Sequence, residues 1–457
     1  MARELIISIS GMRGIIGENL TAAIAAEYGC AFGSFLKEKY SGRTDMKVCL
    51  GRDSRPSGQM LQSAVAAGLC SAGIDVITVG IVPTPTVGIM LRNLNCVGGV
   101  VITASHNPIE YNGIKLLLDN GIAPPPAQAQ EIKDRYLQKQ LSPVDSKSCG
   151  KVFPNDQANE THISKVLELV NVENIKSKKF KVVLDSVNGA GGPVTKDLLT
   201  RLGCEVVAVN NEPTGLFAHT PEPTRENLTD LCGLVKQHNA DLGLAQDPDA
   251  DRLAIVDEKG NYIGEEYTLA LAAKYILNKT PGNAAANLST SRMIDDIAAE
   301  KGCSVIRTAV GEANVAGAMI ENNCVIGGEG NGGVIDLRVG PIRDSLVGAS
   351  FVLDLLAETG KTISQLTEEI GGYDVIKEKF NLDAEAAQKL INAAKQQFID
   401  AKINTTDGCR FDFDKGWIHL RCSNTEPVMR MIIEASDRQT ADEFAGVVRK
   451  LINDVTG

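Results

Sequence analysis

Four short stretches of this sequence hold residue types that carry or bind charged groups. The first is Thr103-Ala-Ser-His-Asn-Pro-Ile-Glu-Tyr-Asn-Gly-Ile-Lys115, directly after the apolar run Val97–Ile102. Ser105 thus falls just past a strand end, where functional groups collect in α/β folds. The Ser105–His106 adjacency suggests a hydrolase, but neighbours on extended backbone point apart and a G-x-S-x-G elbow is missing. A serine before Asn-Pro also serves as a turn residue bonding its own backbone. The second stretch is Asp247-Pro-Asp-Ala-Asp-Arg252, between the apolar runs Leu242–Ala245 and Leu253–Val256. Alternating carboxylates this close repel one another unless a cation sits among them. Asp247, Asp249, Asp251 and Glu258 match EF-hand spacing, yet Arg252 stands where that loop needs Gly, and a buried strand follows. A divalent-metal loop at a strand end fits better, with a solvated acidic turn as the bland alternative.

The third stretch, Gly327-Gly-Glu-Gly-Asn-Gly-Gly-Val334, contains a literal G-x-G-x-x-G. A dinucleotide site needs a helix next, whereas Val334-Ile-Asp-Leu-Arg-Val continues as extended chain. A flexible loop presenting Glu329 and Asn331 to hydroxyl groups is expected, or else a structural glycine turn. The fourth is Arg421-Cys-Ser-Asn-Thr-Glu-Pro-Val-Met-Arg430. Hydroxyls, backbone N–H groups and two flanking guanidinium forks can surround a phosphate there; a solvated turn is the alternative. Arg13, Arg52 and Arg55 stand beside turn glycines and are expected to make a basic pocket.

The elements that must position these motifs repeat. An apolar strand, a turn, an amphipathic helix and a second apolar strand occur from Lys47, from Lys181 and from Ala284. Such units build α/β layers, and their wide spacing marks three similar domains, not a solenoid. The remainder, with a helix from about Asp383 and short strand-like pieces, reads as a smaller α+β domain. The expected domains are 1–154 (serine loop), 155–257 (acidic loop), 258–371 (glycine-rich loop) and 372–457 (Arg-flanked loop). Linkers are expected from Ala123 through Asn155, near Asp257–Gly260 and at Gly371–Asp374.

The chain of 457 residues carries a net charge of −11, which argues against nucleic acid or a membrane surface as partner. No apolar stretch is long enough to span a bilayer, and the 11 cysteines form no C-x-x-C pair, which argues against a zinc site or a disulfide framework. A cytoplasmic protein, monomer or homodimer, is expected.

Together the four motifs resemble the α-D-phosphohexomutase family: they fall in its order, one per domain, over essentially the whole chain. The resemblance implies three α/β domains and a smaller C-terminal α+β domain around a central cleft. It implies Ser105 as a phosphoserine, and Asp247, Asp249 and Asp251 as Mg²⁺ ligands completed by a phosphoserine oxygen. Glu329 matches the sugar-hydroxyl contact. Arg421, Ser423, Asn424, Thr425 and Arg430 match the substrate-phosphate clamp. Arg13 and Lys115 match the basic residues flanking the transferred phosphoryl, with Lys115 a proton shuttle and Arg252 and His106 assisting. The implied reaction interconverts hexose 6- and 1-phosphates through a 1,6-bisphosphate, which also serves as activator. The sugar loop departs from the better-known pattern Gly-Glu-(Met or Gln)-Ser-Gly-His, reading Gly328-Glu-Gly-Asn-Gly-Gly333. That version resembles an archaeal-type phosphoglucosamine mutase and phosphomannomutase branch, making glucosamine phosphate the expected substrate, with mannose or glucose phosphate as alternatives. A metal-dependent phosphatase and a sugar-phosphate binder without turnover are the rival functions.

Overall fold

The computed structural model describes residues 5–8, 11–422 and 428–456. Each repeated unit is the centre of a mixed sheet built to one plan. In the first, Lys47–Arg52, Asp75–Ile81 and Gly98–Ile102 run parallel, and Tyr111–Leu118 returns antiparallel beside Gly98–Ile102. In the second, Lys181–Asp185, Glu205–Val209 and Leu242–Gln246 are parallel and Leu253–Val256 returns. In the third, Ala284–Asn287, Val305–Thr308 and Ile326–Glu329 are parallel and Gly333–Ile335 returns. The spatial order is the same each time: returning strand, third, first, second. Helices cover both faces of such sheets, so their strands need no polar side; Val48-Cys-Leu50, Val182-Val-Leu184 and Ala284-Ala-Ala286 are all buried.

This shared plan fixes the site. The turn from third strand to returning strand lies at the carboxyl ends of the parallel strands, where α/β sheets bind ligands. In the three units that turn is 103–110, 247–252 and 330–332. The serine, aspartate and glycine-rich motifs thus occupy equivalent places.

The stretch expected as a linker from Ala123 to Asn155 is instead part of the first unit. Its helix Pro126–Leu137 buries Ile132 and Tyr136, and Val152–Pro154 pairs in parallel with Asp75–Ile81. The prolines there start a helix: Pro126 is in its first turn, where the missing N–H has no partner to lose.

The fourth unit is an antiparallel sheet in the order Asp374–Asn381, Val428–Ala435, Gly416–Cys422, Cys409–Phe413, Lys402–Asn404, with helices Ala384–Gln397 and Arg438–Thr456. Its apolar core is its own, whereas the second and third units share one continuous core. A buried polar pin joins the first three. Thr86 Oγ1 lies 2.8 Å from His162 Nδ1, and His162 Nε2 lies 2.7 Å from Asp344 Oδ2. Asp344 also caps the helix Ser345–Thr359.

Candidate active site

Ser105 adopts φ +51°, a left-handed conformation unfavourable for a side-chain-bearing residue. What holds it there is Arg55, wholly buried, whose five N–H donors are all engaged. Four go to the carbonyls of Ser105 (2.6 Å), Asn107 (2.7 Å), Pro108 (2.6 Å) and Tyr111 (2.9 Å), and Nε goes to Asp53 Oδ2 at 3.0 Å. Arg55 is therefore scaffold, not the pocket cation its position beside a turn suggested, and Arg52 bonds the Asp53 carbonyl. The tight turn also overturns the expectation that Ser105 and His106 point apart: Ser105 Oγ lies 3.3 Å from His106 Nδ1.

Ser105 Oγ donates to Asp247 Oδ2 at 3.0 Å, so the first two motifs meet. Asp247, Asp249 and Asp251 are wholly buried and each offers an oxygen within 4.8 Å of the others'. Asp249 Oδ2 accepts from Thr84 Oγ1 (2.6 Å) and Lys115 Nζ (2.8 Å), and Asp251 Oδ2 accepts from Arg343 (2.6 Å). The Oδ1 atoms of Asp249 and Asp251 are buried without a partner. Buried carboxylate oxygens left this way are costly unless a cation takes them, and an all-oxygen set suits a hard divalent ion such as Mg²⁺. The donors present fit that group.

Electrostatics follow from this crowding. Burial, with the charges of Asp251 and Asp249 beside it, pushes Asp247 well above the usual carboxylate range. Burial would also raise Asp249, but the Lys115 ammonium and the Thr84 hydroxyl hold it below that range. Burial opposes the Lys115 charge, yet Asp249, Asp251 and Glu312 raise its pKa overall. Burial, with Arg252 and Arg13 nearby, pushes His106 down to about 3. Burial likewise lowers Arg13, whose Nη1 donates to Asn107 Oδ1 at 2.9 Å. Arg252 has its backbone N–H on Asp247 Oδ1 (3.2 Å) and its side chain 3.7 Å from Glu222. The expected residues Arg13, His106, Lys115 and Arg252 all surround Ser105 and the acidic loop.

The glycine-rich loop is packed, closer to the structural glycine turn than to the flexible loop expected as the alternative. A Cβ at Gly330 would lie 2.0 Å from Glu266 Oε2, and one at Gly333 would lie 2.1 Å from Arg343 Cδ. Neighbours fill the volume that side chains would take. Glu329 is buried and accepts from Asn287 Nδ2 (2.8 Å), Gly311 N–H (3.0 Å) and Arg343 Nη1 (2.7 Å). Burial would raise it, but Arg343 and these bonds hold it below its usual range. Asn331 Oδ1 is buried with no partner. Arg343 and Asn287 escaped the sequence reading, since a lone Arg before a helix cap and an Asn at a strand end carry no motif.

Arg421 and Arg430 are paired across neighbouring strands, so both lie on one face of the fourth sheet. Arg421 Nε donates to Asp407 Oδ2 at 2.7 Å, and Asp407 also accepts from Val310 N–H at 3.0 Å. Arg430 is exposed. Ser423, Asn424 and Thr425 lie outside the described residues.

A serine hydroxyl against three buried carboxylates, with three like domains that also bring a buried glutamate to a strand end, fits the phosphohexomutase class. Residues 5–142, 160–260 and 264–373 match the phosphoglucomutase/phosphomannomutase α/β/α domains I, II and III, and 376–451 match its C-terminal domain. A phosphoglucomutase/phosphomannomutase of Thermococcus kodakarensis is 40% identical over 97% of both chains. A probable phosphoglucosamine mutase of Methanopyrus kandleri is 38% identical over 98% of both. Among solved structures, a phosphoglucomutase/phosphomannomutase family protein of Burkholderia thailandensis superposes with TM-score 0.87 at 28% identity, over 98% of each chain. The chain belongs to the phosphoglucomutase/phosphomannomutase family. It is a phosphohexomutase, an isomerase that interconverts hexose 6-phosphates and hexose 1-phosphates.

Proposed function

We propose that Ser105 carries the phosphoryl group and that the physiological sugar is glucosamine phosphate. The contact of Ser105 Oγ with Asp247, beside two unpartnered carboxylate oxygens, supports the first part. Asp247, Asp249 and Asp251 would hold Mg²⁺ together with a phosphoserine oxygen. When bound, that ion supplies charge neutralisation of the phosphoryl oxygens. A free sugar hydroxyl attacks phospho-Ser105: the new O–P bond forms, the serine O–P bond breaks, and the hydroxyl proton ends on Ser105 Oγ. Lys115, Arg13 and Arg252 offset the phosphoryl charge and hold it in line. The resulting 1,6-bisphosphate turns over in the cleft and returns its other phosphoryl to Ser105. Arg421 and Arg430, with Ser423, Asn424 and Thr425, hold the phosphate that is not reacting. Added hexose 1,6-bisphosphate would prime Ser105 and act as activator.

For the sugar, the supporting observation is Asn331. Its buried amide oxygen lacks a donor, and the N–H of a 2-amino group would supply one. The relatives bear phosphoglucosamine mutase and phosphoglucomutase/phosphomannomutase names alike, so membership of the family does not choose the sugar. A glucose 2-hydroxyl can donate to the same oxygen, so the preference for glucosamine over glucose rests on the stronger, partly charged amine donor and is about two- to tenfold. Mannose, with its axial 2-hydroxyl, leaves the acceptor unpaired at about 1–3 kcal/mol, about five- to two-hundredfold. The test is kcat/KM for glucosamine, glucose and mannose 1-phosphates under one bisphosphate activator. If glucose or mannose leads by about tenfold or more, a preference opposite in sign to the one expected, the amino-sugar assignment is wrong while the mutase stands.

A further inference from the structure

Arg343 lies near the end of the segment between the glycine-rich loop's returning strand and the helix Ser345–Thr359, one residue before the helix cap Asp344. Its guanidinium is buried and reaches three carboxylates on three separate segments: Glu329 (2.7 Å), Asp251 (2.6 Å) and Glu312 (3.1 Å). Its stem occupies the space beside Gly333, where a Cβ would meet Cδ at 2.1 Å, Cγ at 2.7 Å and Cβ at 3.1 Å. Position 333 is also where the better-known loop pattern carries histidine.

We infer that Arg343 is a positioning residue for sugar recognition, and that this loop ends in glycine because Arg343 enters it from outside. A carboxylate has about four acceptor positions. Glu329 spends two on Oε1, with Asn287 and Gly311, and one on Oε2, with Arg343. The orientation of the position left for a sugar hydroxyl is therefore set by Arg343. Through Asp251 the same guanidinium fixes the glycine-rich loop against the acidic loop. A lysine holds its three donors on one nitrogen, so it cannot place them at the separate positions from which Nε, Nη1 and Nη2 reach these three carboxylates.

This inference rests on Glu329 as the sugar contact, and binding is measured apart from turnover. In a Ser105→Ala background, calorimetry gives the Kd of glucosamine 6-phosphate and of glucose 6-phosphate. Arg343→Lys should weaken both by about tenfold or more, the scale of one charge-assisted hydrogen bond. Both sugars should suffer alike, since Glu329 does not read C2. Gly333→Ala, which leaves the Arg343 charge in place, should give the same loss by displacing its stem. The double variant should be no worse than the weaker-binding single, because both remove one interaction. Glu329→Gln serves as the check on the underlying reading: unchanged Kd there removes Glu329 from the sugar site. If Glu329→Gln weakens binding while Arg343→Lys and Gly333→Ala leave Kd within twofold, the Arg343 inference is overturned. Additive losses in the double variant overturn it as well. Should Arg343→Lys fail to fold, Gly333→Ala against wild type decides.

Discussion

With its carbonyl held by Arg55 and its hydroxyl on Asp247, Ser105 has given up the rotational freedom a surface serine keeps. That ordering is what a phosphoryl carrier needs, because transfer depends on alignment more than on covalent help. Ser105→Ala should therefore lower turnover by several orders of magnitude while sugar phosphate still binds. Intact-mass measurement should find a phosphate adduct on part of the wild-type protein and none on the variant; near-normal activity in Ser105→Ala would end the assignment. Asp249→Asn removes one charged ligand while Thr84 and Lys115 can still contact the remaining oxygen. Half-maximal activity should then need roughly tenfold or more Mg²⁺. EDTA should abolish activity without unfolding the wild-type protein; a melting transition brought on by EDTA would make the site structural.

At the scale of elements, the helix Glu266–Lys279 presents a part-buried carboxyl beside Gly330 of the glycine-rich loop. Glu266 Oε2 accepts from Ser291 N–H at 3.0 Å, and the nearest cation, Lys377, is 3.9 Å away. Burial pushes Glu266 up to about 8, Lys377 opposing only in part. A carboxyl whose folded pKa exceeds its unfolded one retains a proton that the unfolded chain gives up. Its contribution to stability is thus fully present below the unfolded value near 4.5 and is lost as pH rises through about 8. Glu266→Gln keeps the Ser291 bond and removes the titration. Urea melts from pH 5 to 8 should show wild type losing stability relative to the variant by up to about 1.4 kcal/mol per pH unit. A difference flat with pH would show that Glu266 stays ionised.

For the whole molecule, the contrast lies between joints. The second and third units share an apolar core, whereas the fourth keeps its own and meets the third through polar contacts among the described residues. Arg292 donates to the carbonyls of Phe413 (3.0 Å), Asp414 (3.0 Å) and Gly416 (3.2 Å), and its N–H goes to Glu434. Arg410 donates to the Leu288 carbonyl, and Ser289 Oγ lies 2.9 Å from His419 Nδ1. Polar joints of this kind permit domain motion, and a bisphosphate that turns over as proposed would require the fourth unit to release and retake it. Arg292→Ala should enlarge the radius of gyration in solution scattering and weaken sugar-phosphate binding, by about threefold or more for three lost hydrogen bonds. Unchanged scattering and affinity together would show that the joint is rigid for other reasons.

The α/β units, the serine motif, the acidic triad and the Arg-flanked strand pair were legible in the sequence because each is local. Apolar runs make buried strands, and alternating carboxylates declare a charge conflict within a few bonds of one another. The prolines near 125 were misread as a linker because proline tells where a helix cannot continue, not where one begins. Between a flexible loop and a structural turn, the glycine-rich stretch could not be decided from sequence, for a deeper reason. Glycine shows that a side chain is missing, and only packing shows what fills the space: Glu266 at Gly330 and Arg343 at Gly333. Likewise the chemistry of Arg55 and Arg343 is the same in sequence, yet one is spent on loop carbonyls and the other on three carboxylates. A guanidinium takes its role from the partners that burial leaves it, and those partners are distant in the chain. Residue types and their order thus determined the family and its chemistry, while the meeting of separate strand ends decided which charges face the acidic loop and which hold the scaffold.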